Sequence, residues 1–202
     1  MKCDVFNTEL NYIKDDYIRK STEYLLNRLP DYFYTMPAST SGKYHPAFSL
    51  GEGGLVRHTK AAVRIAMELF RDDVFNKFDQ HKQELIIMSL LLHDGLKQGW
   101  DEEGHTCFDH PFLMSKFIIK NSSNLIMDGK DIITVVRLIN SHMGPWNVDK
   151  GSNTILPIPV DYDEKFVHLC DYIASRNFLN INFIDNEIVD SVDRGQAKVL
   201  KK

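Results

Sequence analysis

The 202-residue chain is short of thiols: Cys3, Cys107 and Cys170 lie far apart, odd in number, and no CxxC pair occurs. That excludes a disulfide framework and a thiolate zinc site, and it suits a reducing compartment. Long apolar runs are missing too. The longest, LIIMSLLL at 85–92, is too short to cross a bilayer. The opening MKCDVFNTEL carries acids where a signal peptide would be apolar. A soluble, cytoplasmic protein is therefore expected. No excess of basic residues exists; the formal net charge is −4, so nothing global points to a membrane surface or to extended duplex nucleic acid. Internal repeats and low-complexity segments are absent as well. What remains is an ordinary globular composition, 43% hydrophobic and 26% charged, long enough for one domain with a sizeable core.

Residues 8–29 space Leu10, Ile13, Tyr17, Tyr24 and Leu25 as one helix would, and Pro30 ends it. Residues 31–54 read as a long loop, with Pro37, Pro46 and glycines among serines and aromatics. Helical patterns recur at 55–70, 81–97, 110–121, 130–142 and 163–177. A second Gly/Pro-marked connection, GPWNVDKGSNTILPIPVDYD, precedes the last of them. Residues 178–190 alternate like a short strand or hairpin, and the tail RGQAKVLKK reads as solvated. The expected fold class is all-α: a bundle of five to seven helices with a short C-terminal hairpin.

The helical register carries more than any dipeptide. His58, Ala62, Ile65 and Leu69 share the inward face of their helix. His142 is the next position after the stripe Ile132, Val135, Val136 and Ile139. His110 precedes Pro111, a favourable first-turn residue, and lines up with Met114, Phe117 and Ile118. Asp171 borders the stripe Phe166, Leu169, Cys170 and Ile173. His93 and Asp94 end the helix that is apolar nearly all round. Taken alone, any one of these histidines reads first as a core histidine with a satisfied hydrogen bond. A His-Asp dipeptide is also inexpensive in a chain with 8 histidines. Together they are harder to dismiss, because four histidines and two aspartates on inward faces need partners, and a shared metal ion would serve them all.

Imidazole and carboxylate ligands suit Mn, Fe, Co, Ni or Zn, with Mg as a harder alternative. Adjacent His93 and Asp94 point about 100° apart on a helix. A carboxylate so placed can bridge two ions, and two metals ~4 Å apart recur in phosphoester hydrolysis. Lys97, one turn beyond His93, reads either as a phosphate contact or as a solvated lysine at a helix C-terminus.

The order His58, His93-Asp94, Asp171 on helices resembles the HD-domain phosphohydrolase superfamily. LLHDGLK resembles its HDxGK signature with the glycine displaced: Gly95 stands where the third position is usually apolar, and Lys97 keeps its spacing. PASTSGKYHPAFSLGEGGLVRHT at 37–59 is similar to the start of the HD domain in YhaM-type 3′-to-5′ exoribonucleases. EEGHTCFDHP and INSHMGPW resemble the extra histidine motifs of six-ligand HD proteins, and LCDYIASR resembles the closing aspartate helix. The resemblance spans roughly 36–177. It implies an N-terminal helix at 1–35, an HD domain at 36–180 and a C-terminal extension at 181–202. It implies His58, His93, Asp94 and Asp171 as core metal ligands, His110 and His142 as a second metal site, and Asp94 as the bridge. Asp94 and Lys97 become the catalytic candidates, and Lys43, His45, Lys97 and Trp146 the substrate-binding ones. His105 rivals His110, which its helical register favours; His81 and His168 have no counterpart. The family's OB-fold module has no counterpart in the first 35 residues.

The implied function is a metal-dependent phosphohydrolase acting on a nucleotide, cyclic nucleotide or short oligonucleotide with two divalent ions. Tyr44, Trp100 and Trp146 are candidates for stacking on a base. One alternative is a 3′-to-5′ exonuclease on single-stranded RNA or DNA. Another, of a different class, is a non-catalytic nucleotide-sensing HD module. Homo-oligomerisation is left open.

Overall fold

The computed structural model describes residues 1–39 and 42–189; the tail RGQAKVLKK lies outside them. Among the described residues the helices are α1 (Asn7–Leu10), α2 (Asp16–Leu26), α3 (Tyr32–Thr35), α4 (Gly54–Leu69), α5 (Gln80–Leu92), α6 (His110–Lys120), α7 (Gly129–Ser141) and α8 (Tyr162–Ala174). An antiparallel hairpin, β1 (Phe183–Ile184) and β2 (Glu187–Ile188), pairs Phe183 with Ile188. The fold is an all-α bundle with a two-strand C-terminal hairpin.

Local chemistry sets several helix starts. Asp79 accepts the Lys82 N–H at the start of α5, and Asp128 accepts the Lys130 N–H at the start of α7. Glu164 reaches back to the backbone of Asp161 in a capping box that opens α8. Helix α5 is buried on every side from Glu84 to Leu92, and it packs against α2, α4, α7 and α8. Each buried leucine there contributes roughly 2 kcal/mol of apolar transfer. One hydrophobic cluster runs through the bundle, from Phe6 and Leu25 through Leu55 and Leu90 to Val135 and Val167.

The single helix expected at 8–29 is two helices. The carboxylate of Glu84, on α5, accepts the backbone N–H groups of Lys14 and Asp15. A continuous helix would have sent those donors to its own carbonyls. Asp15 then caps α2 by accepting the Tyr17 and Ile18 N–H groups. The long loop likewise gains a short helix, α3. Helix α5 stops at Leu92, short of the expected residue 97, which places His93 and Asp94 at its C-terminal end.

Two glycines fix the approach of loops to the core. Any side chain at Gly54 would put its Cβ 2.2 Å from the Ser49 carbonyl oxygen, so the loop before α4 folds tightly onto the helix start. At Gly95 a Cβ would meet Leu29 Cδ2 at 2.9 Å and Met114 Sδ at 3.0 Å. The displaced glycine of HDGLK is thus where the turn after Asp94 packs against α6 and the end of the α2 segment.

Candidate metal centre

Five helices deliver polar side chains to one point. His58 comes from the second turn of α4, and His93 and Asp94 from the end of α5. His110 opens α6, His142 follows α7, and Asp171 projects from α8. All four imidazoles and Asp94 are buried.

Three of the histidines are oriented in the same way. His93, His110 and His142 each donate Nδ1–H to a carbonyl three residues earlier: Leu90 at 2.7 Å, Cys107 at 2.8 Å and Ile139 at 2.7 Å. That hydrogen bond fixes the tautomer and leaves Nε2 as a lone pair aimed at the centre. His58 is the exception; its Nδ1 is buried without a hydrogen-bond partner, while its Nε2 lies 3.0 Å from Asp171 Oδ1.

Asp94 divides the cluster. Its Oδ2 faces His93 Nε2 at 3.5 Å and His58 Nε2 at 3.8 Å, whereas its Oδ1 faces His110 Nε2 at 3.1 Å and His142 Nε2 at 3.9 Å. Asp171 Oδ1 closes the first side, 3.5 Å from His93 Nε2. Ligand atoms of His58, His93 and Asp94, and separately of Asp94, His110 and His142, all lie within 4.8 Å of one another. His93, His142 and Asp171 make a third such group.

These contacts leave unmet needs at the centre that a cation would meet. His93 Nε2 is buried with no hydrogen-bond partner. His110 Nε2 and His142 Nε2 approach to 3.2 Å with both Nδ1 atoms already donating, so two lone pairs face each other. The donor set of imidazoles and carboxylates fits a divalent transition ion, and the buried groups could hold one.

The electrostatics agree. Burial pushes Asp94 up, but Lys97, His93 and His110 outweigh it and hold the carboxyl well below the usual range. Burial likewise raises Asp171, and the adjoining imidazoles of His58 and His93 reverse the shift and hold it well below the usual range. Burial pushes His93 down, yet Asp94 and Asp171 leave it raised. His142 is pushed down to about 3 by burial and by its neighbours His93 and His110, so it stays neutral and available as a ligand.

A cavity of about 240 Å³ opens onto Asp94, His110, His142 and Asp171. Lys97, His45 and Trp146 line it. Lys97 is not a free cation, however: its Nζ lies 2.5 Å from Asp94 Oδ2. His45 is pushed down to about 4 by burial and the nearby His58. Lys43 and Tyr44 are exposed and do not line the cavity; Lys43 Nζ lies 5.1 Å over the Tyr44 ring. Trp100 packs on Phe117 away from the cavity, and His105 is exposed outside the cluster. Among the lining residues that sequence reasoning did not single out are His168, Tyr172 and Arg176. His168 had read as uninvolved, yet it donates Nδ1–H to the carbonyl of His142 at 2.7 Å. Their signal was sequence proximity to Asp171: His168 and Tyr172 lie on α8 with it, and Arg176 lies just past its end.

The chain resembles a bacterial exoribonuclease. The 3′-5′ exoribonuclease YhaM of Shouchella clausii is 26% identical over 194 residues, 92% of this chain and 54% of that protein. The chain thus spans about half the length of that relative. No family model matches the sequence. No solved structure matches it. Among the described residues, no helix is long and apolar enough to cross a membrane.

Proposed function

We propose that the chain is an HD-type metal-dependent phosphohydrolase that cleaves phosphoester bonds of a nucleotide, cyclic nucleotide or short oligonucleotide. One observation carries this reading: Asp94 turns its two carboxylate oxygens to two separate histidine groups inside one buried cluster. His58, His93, Asp94 and Asp171 would hold one divalent ion, and Asp94, His110 and His142 a second, with Asp94 as the bridge. Ions held there lower the pKa of bound water and neutralise charge developing on phosphoryl oxygens.

The chain's own groups do the rest. The carbonyls of Leu90, Cys107 and Ile139 keep three imidazoles in the tautomer that presents Nε2. Lys97 fixes the Asp94 carboxylate and adds a cation to the cavity wall, near where a phosphate would sit. Burial strengthens each of these electrostatic contacts relative to water.

A 3′-to-5′ exonuclease acting on single strands is a second reading, favoured by the similarity to the YhaM exoribonuclease over most of the chain. Metal analysis of the purified protein, coupled to a screen of mono-, di- and cyclic nucleotides and of 5′-labelled short RNA and DNA, tests both. Co-purifying metal with release of phosphate or nucleoside supports the first reading. Stepwise shortening of labelled strands from the 3′ end, with steep salt dependence, supports the second. A chain that holds no metal and releases no product sinks both.

A further inference from the structure

Two side-chain cations other than histidine line the cavity, Lys97 and Arg176. Lys97 is committed to Asp94. Arg176 is not committed to any acid: among the described residues it makes no ion pair. It is nevertheless held in place. Its Nε donates to the Tyr172 carbonyl at 3.2 Å, and one terminal nitrogen donates to Ser175 Oγ at 2.8 Å. A guanidinium carries five N–H donors, so several remain for an anion. The group sits just past the end of α8, one and a half turns beyond Asp171, and its carbon lies 4.3 Å from the centroid of the Tyr172 ring.

The same tyrosine is stacked by a second residue. Trp146 lies 5.6 Å from Tyr172, centroid to centroid, with the rings 12° from parallel, and Trp146 keeps 53% of its surface exposed. An oriented guanidinium, an aromatic pair and an exposed indole therefore share one wall of the cavity that opens onto the candidate metal ligands. Stacking on an indole is available to any nucleobase whose face is free, and a guanidinium takes phosphate oxygens in paired hydrogen bonds.

We propose that Arg176 and the Trp146–Tyr172 stack form the recognition wall for a nucleotide, with the guanidinium binding a phosphate oxygen and Trp146 the unpaired base. This rests on the hydrolase reading of the metal centre and names the groups that would recognise its substrate's base and phosphate.

The chain has two tryptophans, so a Trp100→Phe background makes the emission report Trp146 alone. Adenosine 5′-monophosphate and ribose 5-phosphate are titrated into that protein under excess chelator, so that binding is read without turnover. The expected result is saturable quenching by the nucleotide, none by ribose 5-phosphate, and about tenfold or greater weakening in Arg176→Ala. Arg176→Lys, which keeps the charge but loses the fork, is expected to recover only part of the affinity. Thermal melts check that the variants are folded. Absence of quenching, equal quenching by the baseless ester, or wild-type affinity in both folded Arg176 variants overturns the proposal. A chain that holds metal and hydrolyses esters yet shows no quenching breaks this inference alone. A chain that shows quenching but holds no metal breaks the hydrolase reading instead.

Discussion

Helix α4 buries a histidine and a lysine two residues apart, His58 at 1% and Lys60 at 0% exposure. Lys60 points to protein partners. Its Nζ lies 3.2 Å from Glu9 Oε2 and 2.6 Å from Glu187 Oε1, which ties α4 to α1 and to the C-terminal hairpin. Thr8 also donates to Glu187. That cluster is completed within the chain, one buried cation held between two carboxylates. On the other side, His58 joins three more imidazoles and two carboxylates whose lone pairs face one another. The comparison separates two uses of buried polarity. A buried ion completed by protein holds elements together, whereas one completed only by an outside cation is a site in waiting.

The largest effect is expected from removing the atom pair that joins both halves of the open cluster. Asp94→Ala should lose its bound metal and reduce hydrolysis on the order of a thousandfold, read by elemental analysis and product release. Full activity in that variant would end the metal reading.

The closed cluster answers in stability instead. Lys60→Met leaves the buried Glu9 uncompensated and should cost about 3 kcal/mol in urea unfolding, with metal content unchanged. Adding Glu9→Gln should return part of that loss. An unchanged urea midpoint in the single variant would show that the pair does not hold α1 to α4.

His142→Ala sharpens the contrast within the open cluster. It should keep about one metal ion where the parent holds about two. Identical metal content in the two proteins would refute the two-ion assignment.

The smallest effect is on pH dependence. In the metal-free chain burial holds His142 down at about 3, against an ordinary 6.5. Between those values the unfolded chain binds more protons at this position than the folded one. Its contribution therefore favours folding at neutral pH and is lost as pH falls from about 6.5 toward 3. Urea midpoints at pH 7 and pH 5 should differ less in His142→Ala than in the parent. An equal slope in the two proteins would contradict the assignment.

Much of this was legible without coordinates. Periodicity gave the major helices to within a few residues, because an amphipathic face has to be written into the spacing. The inward register of His58, His110 and His142 followed from the same stripes, and all three are buried where expected. The break between α1 and α2 was not legible, because Glu84, 69 residues beyond Asp15, competes for the backbone donors. Nor was the commitment of Lys97 to Asp94, or the exposure of Lys43 outside the cavity.

The sequence by itself determined which residue types lie on buried helix faces, since burial of a repeating stripe is a local property of the pattern. Only the tertiary structure decided that those faces meet at one point, that Asp94 divides its oxygens between two groups, and that Arg176 and Trp146 share a wall. Convergence depends on how five helices pack, and packing is set by contacts between residues far apart in the chain.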